Sequence, residues 1–207
     1  MLYGDLVAAS QRTAATSKRS EKVGALAELL RGTPRDEVEA AIGLLIGEPR
    51  QGRLGVGWAT LSNLQATPAG ESSLTIHDVD ATLSRLAAME GTGSQGERHR
   101  AMTTLWAAAT EAEQNHLYRV LTGELRQGAN EGVVADAVAK ASGQPIAAVR
   151  RAAMLLGNLG EKSKAYRDLS PHENPFLPSR DEVTKDNRSR FTINQCGDLP
   201  GLVALCS

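Results

Sequence analysis

Short helical patterns, each opened by a capping residue or closed by glycine, constrain the fold of this 207-residue sequence more than any other feature. In SEKVGALAELLRG, the i, i+3, i+4, i+7 spacing of an amphipathic helix is filled by Val23, Leu26, Ala27 and Leu30. Similar stripes follow further N-terminal helix signals at Thr33 with Pro34, Ser94 with Glu97, Thr110 with Glu113, Asn130 and Pro145. Aromatic residues make up only 3% of the chain, and alanine and leucine are strong helix formers. We therefore predict an all-α fold, a single compact domain of about eight helices.

The composition changes after residue 160. Residues 161–207 contain four of the eight prolines, both phenylalanines and both cysteines. Because proline interrupts helices, we expect an irregular C-terminal tail or extension there, and we assign the helical domain to residues 1–160.

Composition and spacing exclude several classes of protein. The formal net charge is −1, so any surface that binds an anion must be local. Cys196 and Cys206 form neither a disulfide framework nor a zinc-binding pattern. The N-terminal residues do not resemble a signal peptide, and no run of 18 apolar residues suggests a membrane span. We expect a cytoplasmic protein without a metal site or a membrane partner.

Four segments combine basic residues with glycine or other small residues. We call them the first to fourth basic segments: TSKRSEK (16–22), GEPRQGRLGVG (47–57), GTGSQGERHR (91–100) and LTGELRQGANEG (121–132). Glycine allows the backbone to approach a ligand closely, helix N-termini offer N–H groups, and arginine donates paired hydrogen bonds to phosphate. This combination suits binding to a nucleic-acid backbone. The pattern equally allows a helical protein–protein adaptor whose glycines end helices and whose arginines are solvated.

No constellation of residues in the sequence points to catalysis. The four histidines are scattered, and we expect His116 to lie beside the core. Trp58 and Trp106 are expected to be core anchors rather than stacking platforms. Since no phosphate-binding loop of the type G-x-x-x-x-G-K-[ST] is present, we predict no catalytic residue.

The order of the motifs resembles the N-terminal DNA-binding domain of ATP-dependent DNA ligases of the actinobacterial type. The resemblance covers residues 1–157 and rests on four stretches: TSKRSEKVGALAELL, RQGRLGVGWATL, VDATLSRLAAMEGTGSQGERHRAM and ATEAEQNHLYRVLTGELRQGANEGVVADAVAKA. It implies an all-helical module that holds nicked double-stranded DNA through the minor groove and the phosphate backbone, without sequence specificity. It also implies roles in DNA replication, repair and recombination, and association with the nucleoid.

The resemblance implies contacts with DNA in each basic segment. The family's G-x-L-R-x-G turn matches the fourth segment, and the expected DNA-binding residues of all four segments are Ser17, Arg19, Pro49, Gln51, Arg53, Gly93, Ser94, Arg98, Arg100, Gly123, Arg126, Gly128 and Asn130.

The sequence departs from a whole ligase in one respect. The K-x-D-G motif, whose lysine is adenylylated in this family, does not occur in the chain. We therefore expect the chain alone not to seal DNA and to need no cofactor. ATP and Mg²⁺ would belong to ligase catalytic domains acting in cis or in trans.

Overall fold

A computed structural model describes residues 1–52, 54, 56, 58–64, 66–89, 94–125 and 128–156. Within these residues the helices are α1 (Tyr3–Ala14), α2 (Arg19–Gly32), α3 (Val38–Ile46), α4 (Trp58–Ser62), α5 (Ile76–Ala88), α6 (Ser94–Ala108), α7 (Glu111–Thr122), α8 (Glu131–Ser142) and α9 (Ile146–Leu156). A 3-10 turn, Arg35–Glu37, precedes α3. The described residues form no strand, only an isolated bridge between Leu2 and Thr75. The all-α prediction is confirmed, and the predicted tail, residues 161–207, lies outside the described residues.

Helix α1 is one that the sequence analysis did not predict. Its buried face includes Tyr3, Leu6 and Val7, but continues through two polar residues, Ser10 and Thr13. The Thr13 hydroxyl donates to the carbonyl of Ala9 at 2.8 Å. A hydroxyl that is hydrogen-bonded within its own helix can be buried. Such a polar residue interrupts the apolar stripe by which a helix is recognised in a sequence.

Two of the predicted helix starts are confirmed in detail. Thr110 and Glu113 form a capping box at the start of α7, in which each side chain accepts from the other residue's backbone N–H. Asn130 caps α8 by accepting from the Val133 N–H at 3.0 Å.

The predicted cap at Thr33 is wrong. The Thr33 side chain donates to the Leu29 carbonyl at 2.9 Å, and Pro34 precedes the 3-10 turn without a side-chain cap. The regular helix begins only at Val38. Thr33 therefore completes the end of α2 instead of opening α3.

Helix α2 lies at the centre of the packing, against α1 on one side and α8 on another, and α8 also packs on α9. The core is aliphatic, as the scarcity of aromatic residues predicts, with Trp106 buried as expected. The side chain of Trp58 lies outside the described residues. No described helix has the length and apolar character needed to cross a bilayer.

One polar cluster lies inside this core. His116 is buried, as predicted, and its Nδ1 is 2.6 Å from the Tyr3 hydroxyl. Burial, and then the charge of Arg119, lower the pKa of His116 to about 4. Glu113 is also buried and accepts from the Ser72 hydroxyl at 2.5 Å. These partners satisfy the Glu113 carboxylate and one imidazole nitrogen, whereas the buried Nε2 of His116 has no hydrogen-bond partner among the described residues.

Candidate nucleic-acid interface

The first and fourth basic segments meet where α2 and α8 begin. Arg19 donates from Nε and Nη2 to the Asp136 carboxylate at 2.9 and 2.6 Å, and from Nη2 to the Gly132 carbonyl at 2.9 Å. Arg150, in the second turn of α9, donates to the other Asp136 oxygen at 3.0 Å. Ser17 is exposed just before this contact. Asp136 thus connects the N-terminal end of α2 and the second turn of α9 to α8.

Glycines of the fourth segment have the left-handed backbone that favours glycine. Gly123 ends α7 with φ +72°, and the space around its Cβ position is open for 4 Å. Gly128 has φ +74°, and a Cβ added to it would clash with the Lys22 ammonium of the first segment. Both glycines are therefore exposed, and they differ in that a cationic side chain lies next to the backbone at Gly128.

The second segment adjoins the fourth. Gly47 ends α3 with φ +80°, and a Cβ added to it would lie 3.3 Å from the Leu125 Cβ. A groove of about 330 Å³ runs between the two segments, with Glu48 on one side and Asn130 on the other. The two segments consequently form adjacent walls of one depression.

The second segment is fixed to α5 through Asp80. Arg50 donates to both carboxylate oxygens of Asp80, at 2.8 and 2.6 Å. The Gln51 amide donates to the same carboxylate at 2.7 Å and to the Ser84 hydroxyl at 2.9 Å. Behind these side chains, the Pro49 carbonyl closes a turn by accepting from the Gly52 N–H at 2.9 Å.

These contacts shift the pKa values of the pair. The hydrogen bond to Asp80 raises the pKa of Arg50 above its ordinary value. Partial burial works to raise the pKa of Asp80, but the hydrogen bonds from Arg50 and Gln51 and the Arg50 charge outweigh it, so the pKa is lowered. Both groups are therefore charged at neutral pH.

The third segment reaches the second through Arg98. Its guanidinium donates to the Leu54 carbonyl at 2.7 Å and to the Met89 carbonyl beyond the end of α5. Its Nε also lies 3.4 Å from the Ser94 hydroxyl at the start of α6. Arg98 thus holds the second segment, the end of α5 and the start of α6 together.

Arg100 is placed differently from the other arginines. It is exposed on α6, and its Nε donates to the Gly96 carbonyl, one turn earlier, at 3.3 Å. Neither Arg98 nor Arg100 forms an ion pair with a carboxylate of the described residues. By contrast, Lys18, Arg19 and Arg50 are paired with Glu21, Asp136 and Asp80.

The structure thus joins parts of all four predicted segments by direct contacts. Lys22 and Arg19 link the first to the fourth, Leu125 links the fourth to the second, and Arg98 links the second to the third. Three predicted contact residues, Arg53, Gly93 and Arg126, lie outside the described residues.

Sequence reasoning missed the acidic partners, Asp80 and Asp136. Asp136 is 117 residues from Arg19, so no local sequence pattern predicts their ion pair. No group of three or more side chains suited to binding a metal occurs among the described residues.

Most of the chain is similar to the N-terminal part of known DNA ligases. Residues 59–139 match the family described as DNA ligase N terminus. A probable DNA ligase of Nocardia farcinica is 48% identical over 165 residues, which are 80% of this chain and 32% of that protein. A probable DNA ligase of Pseudarthrobacter chlorophenolicus is 50% identical over 160 residues, 77% of this chain and 32% of its own length.

DNA ligase B of Mycobacterium tuberculosis is 48% identical over 167 residues, 80% of this chain and 33% of its own length. The chain therefore spans about a third of the length of the relatives it matches. Since the family match and the relatives agree with the motifs and the helical fold, the chain belongs to the DNA ligase N-terminal family.

Proposed function

We propose that the helical domain binds double-stranded DNA without sequence specificity, as the DNA-binding module of an ATP-dependent DNA ligase. The observation that carries this proposal is the series of direct contacts joining four basic segments that are far apart in the sequence. Backbone contacts position a protein on DNA without reading its bases, and the segments carry the groups that such contacts need.

Each kind of group has a distinct role in the proposed complex. Arg98 and Arg100 bring positive charge to the second turn of α6, and neither pairs with a carboxylate of the described residues. Helix α2 begins without a side-chain cap, so its first N–H groups suit a phosphate oxygen. Gly123 offers a stretch of backbone without a side chain in the way of a deoxyribose.

The finer proposal follows the family resemblance. The module would lie in the minor groove around a nick and present the nick to ligase catalytic domains, in cis or in trans. ATP and Mg²⁺ would act in those domains, and the complex would serve replication, repair and recombination. Nucleoid association would then follow from DNA binding.

Duplex binding across a range of salt concentrations tests the proposal. Fluorescence anisotropy with labelled duplexes of two unrelated sequences, each intact and nicked, gives the affinity and its salt dependence. We expect equal affinity for both sequences, tighter binding to the nicked forms, and a log–log slope of about −0.9 for each phosphate contacted. Absence of binding to any duplex at low salt refutes the proposed function.

One observation favours the alternative, a helical protein–protein adaptor. Arg19 and Arg50 are already paired with internal carboxylates, as structural arginines are. Affinity capture from a lysate with and without nuclease separates the two functions. Partners that remain after nuclease treatment, together with no binding to purified duplex, would favour the adaptor.

A further inference from the structure

Two carboxylates lie among the arginines of the proposed DNA-binding face. Asp80 receives both arms of the Arg50 guanidinium, and its side chain is 16% exposed. Asp136 receives Arg19 and Arg150, and its side chain is 21% exposed, whereas the two arginines are 53% and 58% exposed. In both places the carboxylate occupies the paired hydrogen-bonding position that a phosphate takes on arginine.

We propose that Asp80 and Asp136 limit the affinity of this domain for DNA, by occupying and partly neutralising the arginines that would otherwise bind phosphate. The inference rests on the proposed function and adds to it a control of how tightly the module holds a duplex. A module that must release DNA after each event gains from such a limit. The effect lies in internal residues and needs no further partner.

The geometry favours a limiting role over a positioning role. If Asp136 only oriented Arg19, removing its charge would loosen the arginine. Arg19, however, also donates to the Gly132 carbonyl at 2.9 Å, and an asparagine at position 136 would keep one oxygen as an acceptor. The orientation of Arg19 is thus held twice, while its charge is offset by one group alone among the described residues.

The charge count gives the size of the effect. Around Asp136 two guanidinium groups face one carboxylate, so the substitution Asp136→Asn raises the local charge from +1 to +2. One further counterion released on binding steepens the salt slope by about 0.9, which is a roughly eightfold change in affinity per tenfold change in salt. Because the carboxylate offsets its partners only in part, we expect a gain of about three- to eightfold at low salt.

The experiment compares wild type with Asp136→Asn and Asp80→Asn in the anisotropy assay, using one nicked duplex across the salt range. The matched control is Asp36→Asn, which changes the net charge equally. Asp36 is exposed in the 3-10 turn before α3, at the opposite end of that helix from the second basic segment. Thermal melting establishes whether each variant folds. If one of the two aspartate variants does not fold, the other still tests the inference.

The outcomes separate the inference from the proposed function. Tighter binding and a steeper slope for the folded aspartate variants, with Asp36→Asn unchanged, support the limiting role. If the wild type binds and a folded variant binds equally well or more weakly, the limiting role is overturned for the substituted residue. The proposed function is not affected by that result. If Asp36→Asn gains as much as the others, net charge is responsible and the inference is overturned. If neither wild type nor any variant binds duplex, the proposed function fails and the inference fails with it.

Discussion

Replacing Arg100 by alanine is the most direct test of how this face would engage DNA. The Arg100 side chain is exposed, and among the described residues it donates one hydrogen bond, to the Gly96 carbonyl at 3.3 Å. No described carboxylate neutralises it. Alanine is also the strongest helix former, so Arg100→Ala should fold as the wild type does. Any loss of binding then reports on the interface itself.

The magnitude follows from the release of counterions. If Arg100 contacts one phosphate, its removal flattens the log–log slope by about 0.9. Over a tenfold range of salt this amounts to a roughly eightfold loss of relative affinity, or about 1.2 kcal/mol of binding free energy. The loss should be the same for every duplex sequence, because a phosphate contact carries no base information.

Anisotropy titrations at several salt concentrations give the slope, and Arg12→Ala is the matched control. Arg12 is an exposed arginine of α1, outside all four basic segments, and its contact with Glu28 is a weak surface pair. Removing either arginine changes the net charge equally. An unchanged slope for Arg100→Ala, or an equal change for Arg12→Ala, would refute a specific phosphate contact by Arg100.

Four further predictions concern stability. Gly128→Ala should lower the free energy of unfolding by about 1 kcal/mol, because φ is +74° and a Cβ would meet the Lys22 ammonium. Gly96 lies in a helix with open space where a Cβ would be added, so Gly96→Ala should raise the free energy of unfolding by about 0.5–1 kcal/mol. If urea unfolding shows equal stability for Gly128→Ala and Gly96→Ala, both predictions are contradicted. The folded-state pKa of His116 is about 4, which lies below its unfolded value. The unfolded chain therefore binds the proton first, and the free energy of unfolding should fall as the pH drops from 6.5 towards 4. Denaturation curves across pH should show a smaller loss for His116→Gln. Asn130→Ala should lower the free energy of unfolding by about 1 kcal/mol through the lost cap. The salt slope of DNA binding should stay unchanged because asparagine carries no charge, and weaker binding at every salt concentration would indicate that Asn130 contacts DNA.

Local rules explain what could be predicted from the sequence. The starts of α7 and α8 are fixed by side chains three residues from the N–H groups that they cap, so the sequence carries the whole interaction. Helix α1 escapes the same rules because its buried face includes Ser10 and Thr13. A buried hydroxyl bonded to its own helix breaks the apolar stripe without breaking the helix.

The partners of the basic residues could not be predicted in the same way. Arg50 and Asp80 are 30 residues apart, and Arg19 and Asp136 are 117 apart, so each pair exists only because the packing of helices brings two segments together. Sequence spacing treats Arg19, Arg98 and Arg100 as equivalent candidates. The fold makes them different, because one is paired with a carboxylate, one holds backbone carbonyls and one extends into solvent.

This division determines how a salt slope for the whole domain should be interpreted. If every arginine of the basic segments reached a phosphate, the slope would approach about −0.9 for each of them. Internal pairing at Asp80 and Asp136 lowers that sum, since an arginine that stays paired with a carboxylate does not neutralise a phosphate. Arg98 lowers it differently, because a guanidinium that holds two carbonyls must keep its orientation to keep the second and third segments together. In the proposed complex, the charge available to DNA is therefore set by the tertiary structure. A wild-type slope matching the full count of arginines would mean that the internal pairs open on binding.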